Sequence, residues 1–477
     1  MSTLGNILSN AAQALHAHQK ATQVAGHNIN NALTEGHSRQ SARLETAYPL
    51  QTPYGMIGGG VRVADITRAR DILLDHTVRR EASQTEGHRI RYQALGQLEE
   101  MFLEFSEEGF GKTLSAFWDA WSEAASHPGN AAALTMIQSR GREVAEHLHL
   151  LSTNLEEIAN SARTRLDDSV QNLNRLVSEI ADLNRQIISA EAGGGTAADL
   201  RDSRDLALDE LAKIGPIQVV ERENGGVGVV IGGITVVDDT ESRALRVVLS
   251  PNETAVIQTD SGTKLQTGEG QAGALLGLLN ESLPSYRREL DQLARGIVQS
   301  VNEIHRQGVS RPIDPDTGQP TTGLDFFHVP DDDIDNVHAG NLRLSDPIAE
   351  DIDLIAIGRG RINADGDLEF LAGNGDIARE IAQLRDHPAA GTVLGNKTIS
   401  GHYQGIVTRL GSEVASARNS TTTHETLARQ AITRRESVSG VSTDEELIKL
   451  IQSQSAYQAA ARVVTTVDEM LQTLLNI

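Results

Sequence analysis

Three groups of residues in the sequence have the types and spacing that chemistry would need. Gly268, Gly270 and Gly273 in GEGQAG match the G-x-G-x-x-G phosphate-binding fingerprint, and Glu289 and Asp291 follow at about the distance of a ribose-binding acid. That chemistry requires a strand before the glycines, a helix N-terminus to receive the pyrophosphate, and a return to a parallel strand. Here an apolar helical pattern runs on to Arg306 instead, so the glycines are expected to form a flexible hinge. Asn363, Asp365, Asp367 and Glu369 in NADGDLE alternate like the oxygen donors of a calcium loop. The glycine that such a loop needs at its sixth position and the glutamate at its twelfth do not fit, and an Asp-Gly hairpin turn is expected, as it is for Asp314 to Gly318. Among 15 histidines, the pairs His16/His18 and His147/His149 stand two apart, which on a helix sends them to different faces. No G-x-S-x-G occurs, nor any serine, histidine and acid arrangement that argues for a hydrolase. The expectation is therefore no catalytic residue, no cofactor, no metal and no enzyme.

Composition narrows the partners. A chain of 477 residues with only 3% aromatic side chains must build its core from Leu, Ile, Val and Ala, which suits long packed helices. A formal charge of -23, with no basic stripe, argues against nucleic acid and against anionic membranes. The absence of cysteine excludes disulfides, thiolate zinc sites and a cysteine nucleophile. No run approaches the roughly 18 apolar residues of a membrane span. The first residues carry no basic group before Lys20, so no cleaved secretory signal is expected.

Apolar periodicity marks the elements. Leu4, Leu8, Ala11, Leu15, His18, Thr22, Ala25 and Ile29 lie four and three apart, a narrow seam that faces one partner helix. Leu447, Leu450, Tyr457, Ala461, Val464, Val467, Leu471 and Leu474 repeat the pattern near the other end. A capping box, Ser442 with Glu445 or Thr443 with Glu446, opens that second helix just after Gly440. Two further long helices are predicted over 155–190, opened by Thr153 and Glu156, and over 274–306. A shorter helix carries Phe110, Leu114, Trp118 and Trp121 as core. From Gly215 to about Thr267 the period changes to two, with turns at Asn224-Gly225, Gly232-Gly233, Pro251-Asn252 and Ser261-Gly262. Residues 310–395 read as short strands and loops, and the following segment as mostly helical until Gly440.

The predicted fold is mainly α with a β-rich insertion, a long helical coiled-coil rod made by the N- and C-terminal regions. Residues 1–40 and 440–477 would form a terminal helical coiled-coil domain. Residues 41–213 and 273–439 would form a helical rod domain, loop-rich at 310–395. Residues 214–272 would form an inserted outer β domain, farthest from the ends. The two seams are half-interfaces that need one another and further copies, with His18, Thr22 and Gln454 as polar sites that set register at some cost in stability.

These segments resemble the flagellar hook-associated protein 1 family, the hook-filament junction proteins of the bacterial flagellum. The resemblance rests near the C-terminus on Ser439-Gly440-Val441, Asp444-Glu445-Glu446, Gln454, Ala456-Tyr457, Ala459, Ala461, Val463, Asp468-Glu469-Met470 and Leu474-Leu475-Asn476. Near the N-terminus it rests on Asn28-Ile29, Asn31, Thr34, Gly36 and Ser38-Arg39-Gln40, with Glu35 where the family usually has proline and His37 where it usually has tyrosine. LRDSRDLALDELAKI and LNESLPSYRRELDQLARGIVQSVNEIHRQG add internal matches. The resemblance implies export through the flagellar type III apparatus without cleavage, and assembly as an extracellular ring between hook and filament. It implies terminal helices that line the inner wall and contact hook protein below and hook-associated protein 3 above, and an export chaperone that binds the C-terminal segment. Leu4, Leu8, Ala11, Leu15, Ile29, Leu447, Leu450, Tyr457, Ala461, Val464, Val467, Leu471 and Leu474 would then form the subunit interface. The competing readings are a secreted effector or adhesin that presents the β-rich segment, and a nucleotide-cofactor enzyme built on GEGQAG.

Overall fold

The computed structural model describes residues 2–475 apart from 53–54, 103–108, 251–253, 315–318, 365–366 and 389–390. Asp365, most of the Asp314 to Gly318 turn, the side chain of Leu474 and Asn476 therefore lie outside the described residues. Helix α1 (Ser2–Asn30) leads into β1 (Gln40–Thr46), β2 (Leu50–Thr52), β3 (Gly55–Ile57) and β4 (Val61–Arg68); the β2–β3 hairpin is nested within the antiparallel β1–β4 pair. Helices α2 (Ile72–Phe102), α3 (Phe110–Ser126), α4 (Ala131–Glu191) and α5 (Ala198–Ile214) follow. Strands β5 (Ile217–Glu221), β6 (Val227–Ile231), β7 (Ile234–Asp238) and β8 (Glu241–Ser242) form an antiparallel sheet in chain order, and β9 (Leu245–Leu249) pairs with β10 (Ala255–Thr259). Helix α6 (Gly270–Gly277) passes through a π-helical turn into α7 (Leu283–His305). Then come β11 (Val309–Ile313), β12 (Pro320–Thr322), α8 (Asp346–Glu350), β13 (Arg361–Ile362), β14 (Leu368–Glu369) and α9 (Asp376–Gln383). Two long helices, α10 (Ile399–Ser439) and α11 (Thr443–Leu475), complete the described chain.

The periodicity located the terminal helices, the β insertion and the mixed segment, but not every boundary. The 155–190 helix is the second half of a 61-residue element. It starts at Asn130, whose Oδ1 accepts the Ala132 amide at 3.0 Å; Thr153 caps nothing, because its hydroxyl donates to the His149 carbonyl at 3.0 Å within the helix. Residues 40–68, which the apolar pattern leaves almost wholly inside the predicted helical rod, hold strands β1 to β4, while α2 and α5 fall in that predicted helical segment although the periodicity marks neither as an element of its own. The GEGQAG glycines make a tight turn rather than a free hinge. Gly270 has φ +72°, and a Cβ there would stand 2.5 Å from the Ile214 carbonyl oxygen; one on Gly273 would stand 2.6 Å from the Gly268 backbone. Among the described residues no parallel strand follows. Glu289 pairs with Arg409, and Asp291 accepts the Ala339 amide at 2.9 Å. At the NADGDLE segment β13 pairs antiparallel with β14, which holds Leu368 and Glu369, and the Asp367 amide donates to Asn363 Oδ1 at 2.9 Å.

Contacts divide the chain into two compact units. One contains Arg89–Arg165 and Leu275–Ser420. Its core holds Phe110, Leu114, Phe117, Trp118, Trp121, Phe326 and Phe327, all buried, as expected for the first, second, fourth and fifth of these. Gly141 of α4 lets Phe326 approach: a Cβ would stand 2.8 Å from its ring. Asn302 holds the Phe326–Phe327 backbone by accepting both amides and donating to the Phe327 carbonyl at 2.8 Å. His305 is fully buried, donating from Nδ1 to the Leu324 carbonyl and accepting the Ala356 amide at Nε2.

The other unit contains Met1–His88, Leu166–Ala274 and Thr421–Ile477. The β insertion thus shares a unit with both termini. Buried polar side chains fix it there. Asn184 of α4 donates to the Val227 carbonyl at 2.8 Å and accepts from Arg204 of α5 at 3.0 Å. Arg204 in turn donates to the Gly225 carbonyl at 2.8 Å, and burial pushes its pKa down to about 10.

Candidate assembly site at the paired chain ends

Helices α1 and α11 pack along their lengths. Asn28, near the end of α1, meets Glu446, in the first turns of α11, so the pair runs antiparallel. Of the seam residues, Ala11 and Val467 are buried; Leu4, Leu15, Ile29, Leu450, Ala461, Val464 and Leu471 are half-buried; Leu8, Leu447 and Tyr457 are exposed. Ala17, Val24 and Ala25 complete the buried strip. The polar sites expected to set register do not reach across it: the Thr22 hydroxyl donates to the His18 carbonyl at 2.9 Å on its own helix, and Gln454 is exposed.

That role falls to Asn28. Its side chain is wholly buried and donates both to the Gln40 carbonyl and to Glu446 Oε2 at 2.8 Å, while its Oδ1 accepts the Gln40 amide at 3.0 Å. One asparagine thereby joins the end of α1, the start of β1 and the start of α11. Glu446 is also buried and takes Lys449 as a counter-ion at 2.6 Å, so it serves this junction rather than a reciprocal capping box. Ser442 does cap α11: its Oγ accepts the Glu445 amide at 3.4 Å.

The loop residues after α1 are anchored in turn. Gly36 turns the chain with φ +81° against the Leu206 side chain. The Ser38 hydroxyl and amide donate to the two oxygens of Asp202 at 2.5 and 3.0 Å. The Arg39 amide donates to the Ser439 carbonyl at 2.8 Å, and its guanidinium lies 3.4 Å from Glu445. Gln40 Nε2 donates to Asp199 at 2.8 Å. Thr34 is exposed and bonds locally, to Asn31 and, through its carbonyl, to the His37 amide.

Beneath the loop, α5 presents Asp202, Asp205 and Asp209 along one face to arginines from four other segments. Arg68 lies 2.7 Å from Asp202 and 2.8 Å from Asp205, Arg70 lies 3.1 Å from Asp205, and Arg79 lies 2.7 Å from Asp209 and 3.4 Å from Asp205. Arg435 of α10 reaches Asp209 at 2.5 Å, and Asp75 neutralises Arg70 at 3.2 Å. Burial pushes the Asp205 carboxyl up, but Arg70, Arg68 and Arg79 together hold it below the usual carboxylate range; at Asp75 burial wins and its pKa is raised. Sequence reasoning missed this clamp. Its only trace was the spacing of acids along a stretch without recognised apolar periodicity.

A family model described as "Flagellar hook-associated protein FlgK helical domain" matches residues 95–327, and one described as "Flagellar basal body rod FlgEFG protein C-terminal" matches 435–477. Flagellar hook-associated protein 1 of Bacillus subtilis (strain 168) is 28% identical over 510 residues, covering 98% of this chain and 97% of its own. The protein of the same name from Salmonella typhimurium is 24% identical, covering 99% and 100%, and that of Escherichia coli (strain K12) is 22% identical with the same coverage. The chain belongs to the flagellar hook-associated protein 1 family. As a member it is a component of the bacterial flagellum. The solved structure of the flagellar hook junction protein FlgK from Burkholderia pseudomallei shares the fold, with a TM-score of 0.63 at 16% identity over 76% of this chain and all of that one. The C-terminal family match begins at residue 435, the arginine that closes the clamp, and contains all of α11. Among the described residues no helix is long and apolar enough to cross a membrane.

Proposed function

We propose that the chain is a non-catalytic structural joint, copies of which form a ring between hook and filament, with the terminal helices at the inner wall. The observation that carries this reading is a second apolar stripe on α11. Ile448 and Ile451 are 56% and 59% exposed on the side of the helix turned away from Glu446 and Val467, and Val463 and Met470, 44% and 52% exposed, extend this apolar surface along the edge of the packed seam beside Val467. Leu447 flanks the stripe, and Ile7 and Leu8 on α1 are also exposed. Covering each half-exposed side chain is worth roughly 1 kcal/mol, so the set yields about 7 kcal/mol per copy, within the roughly 4–15 kcal/mol that association costs. Two copies thus gain no clear surplus from pairing in solution, whereas a subunit added to an existing end meets several neighbours at once. Hook protein on one side and hook-associated protein 3 on the other fit that placement. A chaperone that covers α11 would shield the stripe during export without a cleaved signal.

Leu471→Asp or Ile451→Asp should abolish incorporation at the junction, read by immunogold microscopy of flagella, while circular dichroism shows the chain still folded. Normal incorporation of both variants would refute the reading.

A further inference from the structure

His27 near the end of α1, His37 in the following loop and Asp199 in the first turn of α5 converge beside the Asn28 junction. One ring nitrogen from each histidine and a carboxylate oxygen of Asp199 lie within 4.8 Å of one another. The two rings meet edge to face, with centroids 5.4 Å apart. The His37 side chain is only 6% exposed, and its Nε2 is buried with no hydrogen-bond partner; Nδ1 of His27 is likewise buried and unpartnered. An orphaned buried nitrogen costs about 1–3 kcal/mol, so two in one cluster call for an occupant.

We propose that these three residues form a binding site for a divalent transition metal, with zinc the best match to two imidazoles and a carboxylate. Four-coordinate zinc holds its ligands at about 2.0–2.2 Å, so the three donors must close in by roughly an ångström each. Asp199 has that freedom. Its side chain is 69% exposed, its Oδ1 takes the Gln40 amide, and its Oδ2 stands 3.7 Å from His27 Nε2. The same exposure gives the ion a path in and leaves a fourth position for solvent. On the far side of His37, Nδ1 faces Asp202 Oδ2 at 3.7 Å, the carboxylate placement that orients a ligating imidazole. Burial also lowers the His37 pKa, which keeps the ring in the neutral form a metal needs. The ion would tie α1, its loop and α5 together beside the junction that Asn28 makes with α11. The histidines are ten residues apart and the aspartate far downstream, so no sequence spacing could announce the set.

The test is titration of the chelator-treated full chain, free of any affinity tag, with zinc chloride by calorimetry and with cobalt chloride by visible absorption at neutral pH. The expected result is one equivalent bound with the intense absorption of a four-coordinate cobalt site. His27→Gln, His37→Gln and Asp199→Asn should each weaken binding by at least the roughly 10- to 100-fold that losing an outer partner costs. His16→Gln should leave it unchanged. Absence of binding to the folded chain, or equal affinity in all four variants, overturns the proposal. X-ray absorption of the zinc-loaded unsubstituted chain does not depend on any variant folding: two imidazole ligands support the site, and fewer than two sink it.

Discussion

Replacing Asp205 by asparagine removes the one carboxylate that touches three guanidinium groups, at 2.8, 3.1 and 3.4 Å. Breaking a buried ion pair by deleting one partner costs about 3–5 kcal/mol, because the other charge is left unpaired in a poor solvent. Here each arginine keeps a second carboxylate: Arg68 keeps Asp202 at 2.7 Å, Arg70 keeps Asp75 at 3.2 Å, and Arg79 keeps Asp209 at 2.7 Å. The loss should therefore fall at the low end, about 3 kcal/mol, or roughly 6–12 °C in the melting temperature of a unit this size. An exposed pair supplies the control: Asp182→Asn, which removes the carboxylate partner of Arg185, should change stability by no more than about 0.5 kcal/mol. Calorimetry would follow both variants, with tryptophan fluorescence reporting separately on the unit that holds Trp118 and Trp121, the only two tryptophans. A drop of less than about 1 kcal/mol for Asp205→Asn would refute the idea that the α5 carboxylates hold the arginines together.

Three further outcomes are expected. His305 has its pKa lowered from 6.5 to about 4 by burial, so the unfolded chain binds the proton more readily between those values. Stability of that unit should be complete above about pH 6.5 and fall by roughly 3 kcal/mol as pH drops through the folded value; a flat tryptophan-detected stability over that window would contradict the neutral assignment. Asn28→Ala removes the hydrogen bonds to Glu446 Oε2 and to the Gln40 backbone, leaving Glu446 with Lys449 alone, and should speed amide exchange in the first turns of α11 by roughly 100-fold; unchanged exchange there would show that the asparagine does not hold the two ends together. In the unassembled chain, exchange should be slowest near Ala17, Val24 and Ala25 and fastest toward Leu4 and Leu471, and uniform protection along α1 and α11 would argue against ordering completed by assembly.

The parts of the fold written in periodic apolar spacing were visible in the sequence. The Leu4 to Ile29 and Leu447 to Leu471 seams found their helices, and the alternating valines of 227–237 found the sheet. Boundaries set by one hydrogen bond were not visible. Thr153 looks like a cap until its hydroxyl is seen bonding within α4, while Asn130, the true cap, follows a glycine and reads as a loop. The motif Asn28 to Gln40 stood out by resemblance, but what those residues hold could not be read. The partner of Asn28 lies 418 positions away and that of Ser38 164 positions away. The arginine clamp was hidden for the same reason: its cations come from β4, the β4–α2 link, α2 and α10, and nothing local ties them to α5.

The most direct measurement uses the absence of cysteine in the sequence. With Ile451→Cys carrying the sole thiol, maleimide labelling is compared between the purified chain and intact isolated flagella. Burial of the α11 stripe against neighbouring subunits predicts rapid labelling of the free chain and strong protection in the flagellum. Equal labelling in the two states would contradict it.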